Sequence, residues 1–283
     1  MSDQATVILG GGVTGLSAGS VLGCPLFEAA AAPGGICSSY YLAKGGGRPA
    51  TAKERQEAYR FEIGGGHWIF GGDPLVLDFL RRCGALRSYR RSSAVFFPDS
   101  GRTVDYPLQN HLHQLPDELA GRALTEICQA PRGGAETMAQ WLEQCFGPTL
   151  VELFFGPFHQ CYTAGLWTEI APQDAFKSPV DLRQVIRGAL GSSDPVGYNV
   201  TFVYPEGGLD QLATALAERC DIRYRRRVVA VDTARKEIAF ADGATVGYQR
   251  LLSTLPLDRM LQLCGIEIDQ PADPHTAVLV LNI

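Results

Sequence analysis

The sequence lacks several features that would place it in a specialised class of proteins. Its 283 residues include 25 basic and 30 acidic side chains, and the net charge of −5 gives no positive field for nucleic acid. No run approaches the roughly 18 apolar residues of a membrane-spanning helix. The first residues also carry no basic segment typical of a secretory signal. We therefore expect neither a nucleic-acid partner nor an integral membrane segment.

Cysteine is present without the spacing of a metal or disulfide site. The 8 cysteines include no Cys-x-x-Cys pair, and His111 and His113 lack a third ligand at a suitable distance in sequence, so no metal is assigned. Reduced thiols and a cytoplasmic location are the expectation. The composition, 46% hydrophobic and 19% charged, is globular, and at roughly 150 residues per domain the length suggests two domains.

A glycine motif follows the first apolar segment. Residues Thr6–Leu9 are β-rich, and G-x-G-x-x-G comes next, before a helix predicted over Val13–Leu22. Gly10 permits the tight turn, Gly12 allows a pyrophosphate to approach the backbone, and Gly15 allows the helix to pack on the strand. The helix N-terminus then faces the phosphates. The predicted dinucleotide contacts in this segment are Gly10, Gly12, Val13, Thr14 and Gly15.

A short second strand is predicted to end at Glu28, whose carboxylate could accept hydrogen bonds from ribose hydroxyls. With the Gly-Gly pair that follows, the sequence resembles FAD enzymes of the glutathione-reductase-like fold, in particular amine oxidases, protoporphyrinogen oxidases and UDP-galactopyranose mutases. The resemblance implies FAD as cofactor, an α/β, Rossmann-like FAD-binding domain, and Gly34 and Gly35 as FAD contacts. The arginines that often flank this pair in the family are replaced here by Ala32 and Ile36.

A second glycine-rich segment, Gly64-Gly65-Gly66, precedes His67 and allows the backbone to pass close to a flat ligand. It resembles the segment that lies along the isoalloxazine ring in those enzymes. The resemblance implies Gly65, Gly66 and His67 as flavin contacts and His67 as the candidate catalytic residue, although a purely structural histidine is an equal alternative. Two further FAD contacts are implied by the resemblance, the main chain of Val228 at the adenine and Thr254 in a returning strand and turn.

The domain pattern is discontinuous. Residues 1–73 and 200–283 are predicted to form the FAD-binding domain, with the end of the second part returning toward the substrate domain, while 74–199 form an inserted, mainly helical substrate domain. Helical spacing from Met138 to Cys145 supports the insert, and Gly147-Pro148 is expected to break that helix. An aromatic cluster in the insert is predicted to belong to its core, namely Phe154, Phe155, Phe158, Tyr162 and Trp167.

The last third is predicted to contain an amphipathic helix through Leu212–Ala217, a strand over Ile222–Asp232, and a hairpin over Glu237–Gln249 that turns at Asp242-Gly243. The run Arg225-Arg226-Arg227 is interpreted as exposed strand residues, with a phosphate or membrane surface as the alternative. Residues 277–283 are apolar, are predicted to form a strand, and end without a polar tail. We therefore expect a C-terminally truncated chain that exposes apolar surface and binds FAD weakly or not at all.

Three functions remain open from the sequence. The first is an FAD-dependent oxidoreductase that takes a hydride from a small organic substrate held between the insert and the isoalloxazine. The second is an isomerase like UDP-galactopyranose mutase, favoured by Tyr106–Asn110, which resembles a "YPFQNN"-like stretch of the eukaryotic mutases. In the inserted domain, the only candidates for binding the diphosphate of a sugar nucleotide are Arg183 and Arg187. The third is a non-catalytic nucleotide-binding fragment.

Overall fold

The computed structural model describes residues 4–130, 133–172, 181–192, 200–269 and 276–282. The strands in these ranges are β1 (Gln4–Leu9), β2 (Leu26–Phe27), β3 (Ser39–Leu42), β4 (Tyr59–Glu62), β5 (Leu86–Arg90), β6 (Ala94–Phe97), β7 (Arg102–Asp105), β8 (Thr201–Pro205), β9 (Ile222–Arg223), β10 (Val228–Asp232), β11 (Glu237–Phe240) and β12 (Thr245–Ser253). The helices are α1 (Val13–Leu22), α2 (Pro74–Cys83), α3 (Asp117–Gln129), α4 (Met138–Leu150), α5 (Gly156–Tyr162), α6 (Leu182–Ala189), α7 (Leu209–Ala217) and α8 (Leu257–Leu263). Within these ranges, no helix has the length and apolar character needed to span a membrane.

The main sheet has six strands in the order β10-β11-β12-β1-β2-β9. Strand β1 pairs in parallel with β12 on one side and with β2 on the other, and β2 pairs in parallel with β9. Val7, Ile8 and Leu9 are fully buried, as expected for a central strand covered on both faces. The parallel pairing of β12, β1, β2 and β9 confirms the α/β, Rossmann-like fold and brings the carboxyl ends of β1 and β2 to the same edge.

Helix α1 begins and ends at the residues predicted from the sequence. It packs with α7 on one side of the sheet, where Leu16 and Leu216 join Ile8 of β1 in one buried cluster. Burying side chains of this size is worth roughly 1.5–3 kcal/mol each. The packing therefore fixes the start of α1 relative to the end of β1.

The chain divides into two compact units, one made of Met1–Ser88, Val203–Ala272 and Leu279–Ile283 and the other of Tyr89–Phe202 and Asp273–Val278. Helix α2 was predicted to belong to the insert but lies in the first unit. The reason is visible in its apolar face, because Phe79 and Leu80 pack against the buried cluster formed by α1 and α7.

The second unit is built around a helical core. Leu142 and Phe146 of α4 are fully buried, and Thr137 and Gln140 form a reciprocal capping box at the start of that helix. Gly147, with φ +73°, kinks the helix at the predicted Gly-Pro position. A five-residue π-helix, Val151–Phe155, follows directly and leads into α5.

The hairpin around Asp242-Gly243 is confirmed by the antiparallel pairing of β11 and β12. The single strand predicted over 222–232 is wrong, because β9 ends at Arg223 and β10 begins at Val228. Between them Arg225 takes a left-handed conformation with φ +58°, which turns the backbone and interrupts the ladder.

The strand predicted over 277–283 is also wrong for the residues described there. Residues 276–282 form no regular secondary structure, because their backbone joins none of the sheets described. The expected exposure of apolar side chains is confirmed at three positions, with relative exposures of 84%, 83% and 74% at Val278, Leu279 and Leu281. Ile283 lies outside the described residues.

Candidate nucleotide and flavin site

The glycine turn between β1 and α1 is closed by steric contacts that only glycine permits. Gly10 has φ +102°, and a Cβ atom on Gly15 would lie 1.9 Å from the Gly10 carbonyl oxygen. Gly12 differs, since a Cβ there would meet no atom within 4 Å. Gly10 and Gly15 therefore shape the turn, and Gly12 leaves open space beside it.

The start of α1 is open to an anion. Gly12 is the N-cap residue, and neither a capping side chain nor an acidic residue occupies the first turn. Unpaired amides and the helix dipole together attract negative charge at such a position. Val13 and Thr14, the first two helical residues, are half-buried and exposed, respectively.

Glu28 lies against this turn. Its Oε2 accepts a hydrogen bond from the Gly11 amide at 2.6 Å, and its Oε1 accepts one from the Ala30 amide at 2.6 Å. Each carboxylate oxygen has a second lone pair that can accept from a hydroxyl group. The predicted ribose-binding carboxylate therefore lies beside the glycine turn at the end of β2.

The Gly-Gly pair after Glu28 also reaches the turn. The Gly34 amide donates to the Gly11 carbonyl at 2.8 Å, and Gly34 forms an isolated bridge with Gly12. A Cβ on Gly35 would lie 3.3 Å from the Gly12 Cα atom. The two predicted glycine segments thus form one continuous backbone surface.

Thr254 closes the turn from the other side. Its amide and its hydroxyl both donate to the Leu9 carbonyl at 2.9 Å, and the hydroxyl also lies 3.3 Å from the Gly10 carbonyl. Val228 pairs with Phe240 at the start of β10 and lies farther along the sheet. Thr254 is therefore placed to support the turn, and Val228 packs against the buried cluster that contains Val7 and Leu9 of β1.

The segment Gly64-Gly65-Gly66 packs against Ile36. A Cβ on Gly64 would lie 2.3 Å from the Ile36 side chain, directly after the Gly34-Gly35 pair. Gly65 has φ +76° and faces Val280. His67 Nδ1 lies 3.0 Å from the Gly65 carbonyl, and since a carbonyl only accepts, Nδ1 carries the proton in the neutral ring. Nε2 is then left as an acceptor.

A buried polar cluster next to this loop was not predicted from the sequence. Tyr41 donates to Asp210 at 2.6 Å, and burial followed by this hydrogen bond raises the pKa of Tyr41 to about 12. Burial, with a smaller contribution from Asp210, raises the pKa of the Glu62 carboxyl. Three other oxygen atoms are buried and have no hydrogen-bond partner within the described ranges: Glu62 Oε1, Asp210 Oδ1 and Ser39 Oγ. The sequence feature that could have indicated this cluster is Glu62, a carboxylate between the apolar residues Phe61 and Ile63 just before the glycines.

The C-terminal segment supplies contacts to the same loop. The side-chain Nδ2 of Asn282 donates to the Tyr40 hydroxyl at 3.1 Å and to the Glu62 backbone carbonyl at 3.3 Å. Val280 faces Gly65. These contacts join residues more than 200 positions apart, and no local pattern could have indicated them.

The second unit carries an exposed aromatic surface. The rings of Phe158 and Tyr162 stack with centroids 5.5 Å apart and are 47% and 67% exposed. The prediction of a core role is therefore wrong for these two and confirmed for Phe155, which is buried. Both rings lie on α5, directly after the π-helix that contains the buried Phe155.

The histidines of this unit lie against backbone carbonyl groups. Nδ1 of His159 lies 2.7 Å from the Phe155 carbonyl, and burial lowers the pKa of this imidazole. His111 and His113 each place Nδ1 against a backbone carbonyl. Gln109 and Asn110 of the "YPFQNN"-like stretch are 1% and 2% exposed.

The residues around Gly12 fit a dinucleotide. The start of α1 has no side-chain cap, so its amides can donate to a pyrophosphate, and the space beside Gly12 is open. Glu28, at the end of the neighbouring strand, can accept from the ribose hydroxyls. Gly34 and Gly35 extend the same surface. The first unit therefore provides a cradle of the kind that holds FAD.

Comparison with known proteins agrees with this chemistry. The family described as "Flavin containing amine oxidoreductase" matches residues 14–279. The fold is similar to a crystal structure of reduced UDP-galactopyranose mutase, with a TM-score of 0.78 and 26% identity over 92% of this chain and 57% of that one.

Two other solved structures share the fold at lower identity. An oxidoreductase from Methanosarcina mazei matches with a TM-score of 0.57 and 16% identity over 92% of this chain and 61% of that one. A putrescine oxidase with a redesigned cofactor site matches with a TM-score of 0.52 and 18% identity over 90% of this chain and 58% of that one. This chain thus spans less than two thirds of the length of each of the three structures. It belongs to the flavin-containing amine oxidoreductase family, and its cofactor is FAD.

Proposed function

We propose that the protein is a flavin-dependent isomerase of a sugar nucleotide, similar to UDP-galactopyranose mutase. The observation that carries the proposal is the fold match to that mutase, which exceeds the matches to the Methanosarcina mazei oxidoreductase and the putrescine oxidase in both TM-score and identity. The "YPFQNN"-like stretch Tyr106–Asn110, identified from the sequence alone, points to the same enzymes.

The first unit would hold the cofactor. The amides at the start of α1 would donate to the pyrophosphate, and Glu28 would accept from the ribose hydroxyls. Gly65 and Gly66, which carry no side chains, would allow this loop to lie close to the flavin ring. When bound and reduced, FAD supplies a nucleophile for the anomeric carbon of the sugar, and the isomerisation leaves the net redox state unchanged. His67, held through Nδ1 by the Gly65 carbonyl, offers Nε2 as a hydrogen-bond acceptor beside that loop.

The second unit would bind the substrate. Arg183 at the start of α6 has a side chain that is 92% exposed and only a 4.0 Å contact with Asp181, so its planar guanidinium is accessible to a diphosphate. The exposed rings of Phe158 and Tyr162 offer flat apolar surfaces to a sugar or a base.

The test is an isomerase assay with and without reduction. Protein supplied with FAD is incubated with UDP-galactopyranose under dithionite, and the furanose product is separated by chromatography. We expect product only in the reduced sample and a raised KM in Arg183→Ala. Absence of product from a reduced, FAD-loaded protein contradicts the proposal.

A hydride-transferring oxidoreductase is the second candidate, favoured by the description of the matching family and by the oxidoreductase and putrescine oxidase structures that share its fold. The same preparation, kept oxidised, is mixed with primary amines and an electron-accepting dye. Amine-dependent dye reduction without isomerase activity supports this candidate. Tight FAD binding with neither activity supports a nucleotide-binding role without catalysis.

A further inference from the structure

The turn between β9 and β10 is fixed to the loop that follows Glu28. The Arg226 amide donates to the Glu28 carbonyl at 2.8 Å, and the Arg225 amide donates to the Ala30 carbonyl at 3.0 Å. The Ala30 amide in turn donates to the Glu28 carboxylate. An arginine-rich segment, 225–227, therefore borders the carboxylate that we assign to the ribose.

The charges of this segment are only partly neutralised. Arg226 forms an ion pair with Asp242. Arg225 and Arg227 are exposed, and neither side chain pairs with an acidic residue in the portion of the chain that the structure describes. The neighbouring residues 29–32 are all alanine and supply no compensating charge. Two arginines are thus available to a ligand at this edge of the cradle.

The turn itself does not require an arginine. Arg225 has φ +58°, a left-handed conformation that glycine adopts without the Cβ strain that an arginine incurs. Non-glycine residues in this conformation cluster at ligand-binding and active sites. Packing alone therefore gives no reason for arginine at position 225.

We propose that Arg225 and Arg227 bind the adenosine diphosphate half of FAD. A planar guanidinium can donate to phosphate oxygens in pairs or lie over the face of an adenine ring. These arginines would supply the charge-assisted contact that Ala32 and Ile36 cannot make beside the Gly-Gly pair. The inference rests on the cradle around Gly12 and is independent of the reaction that the enzyme catalyses.

The first test measures binding of FAD, ADP and FMN by calorimetry to the wild-type protein and to the double variant Arg225→Ala/Arg227→Ala. Loss of a charge-assisted hydrogen bond predicts Kd values for FAD and ADP that rise about tenfold. Binding of FMN, which lacks the adenylate, should not change. The wild-type affinity for FAD should also fall more steeply with added salt than that of the variant, because the removed interaction is ionic.

A matched control is Arg235→Ala, whose side chain is 85% exposed in the turn after β10. It should leave FAD binding unchanged. The proposal is overturned if the double variant loses affinity for FAD and FMN equally, or if it binds FAD as tightly as the wild-type protein does. If Gly12→Val also leaves FAD binding intact, the cradle itself is misplaced, which is a separate failure.

A second variant separates binding from stability. Arg225→Gly relieves the left-handed strain, so its Tm should rise, yet FAD binding should weaken. Opposite changes in Tm and affinity support a ligand-binding arginine. A fall in Tm together with unchanged affinity shows a purely structural residue and contradicts the proposal.

Discussion

Replacing Gly12 with valine should strongly weaken FAD binding without unfolding the protein. Gly12 has φ −73° and ψ 175°, an extended conformation open to any residue, and an added Cβ meets no atom within 4 Å. The remaining effect on stability is that of an apolar residue replacing glycine at a helix N-cap, about 1 kcal/mol. Folding should therefore survive the change.

The effect on binding should be much larger. Hydrogen bonds to a charged group contribute about 1.5–3 kcal/mol each. A valine side chain in the open space beside Gly12 would hold the pyrophosphate away from the amides at the start of α1. Losing one such bond raises the Kd about 10- to 100-fold.

The assay is an FAD titration by fluorescence quenching, accompanied by thermal unfolding. Gly15→Ala is the matched control, because its Cβ would lie 1.9 Å from the Gly10 carbonyl oxygen and should lower stability by about 1–3 kcal/mol or more. Normal FAD affinity in folded Gly12→Val would refute the assignment of the turn to the pyrophosphate.

Three further changes test neighbouring parts of the site. Thr254→Val removes the hydroxyl that donates to the Leu9 carbonyl, so chemical denaturation should show a loss of about 1 kcal/mol; an unchanged free energy of unfolding contradicts this role. Burial raises the pKa of Glu62, so the native state retains this proton to higher pH than the unfolded chain, and stability should fall as pH rises from the ordinary value of a carboxyl through the raised native value. Glu62→Gln should flatten that part of the pH–stability curve. Identical curves for the variant and the wild-type protein would contradict this role of Glu62. His67→Ala should alter the bound flavin spectrum more than the Tm, whereas a lower Tm with an unchanged spectrum would indicate a structural histidine.

The local parts of the cradle could be predicted because short-range rules determine them. The Gly10–Gly15 spacing marks a strand-to-helix turn, and helix α1 has the predicted bounds. The Asp242-Gly243 hairpin follows from the same kind of rule, since glycine at φ +83° forms the tight connection.

The remaining features depend on contacts distant in sequence or on backbone conformations that residue type does not indicate. An arginine in a left-handed turn broke the strand predicted over 222–232, although nothing in its side chain favours that conformation. The pairing of Tyr41 with Asp210 spans 169 positions. The exposure of Phe158 and Tyr162 cannot be predicted from their aromatic character, which they share with the buried Phe155.

The most direct test of the cradle is an amide NMR titration of the isotope-labelled protein with ADP and then FAD. The account predicts saturable shifts for the amides of Gly12, Val13 and Thr14 with both ligands, and for Gly65 and Gly66 with FAD alone. Saturable binding that leaves the amides of Gly12–Thr14 unmoved while shifting others would contradict it.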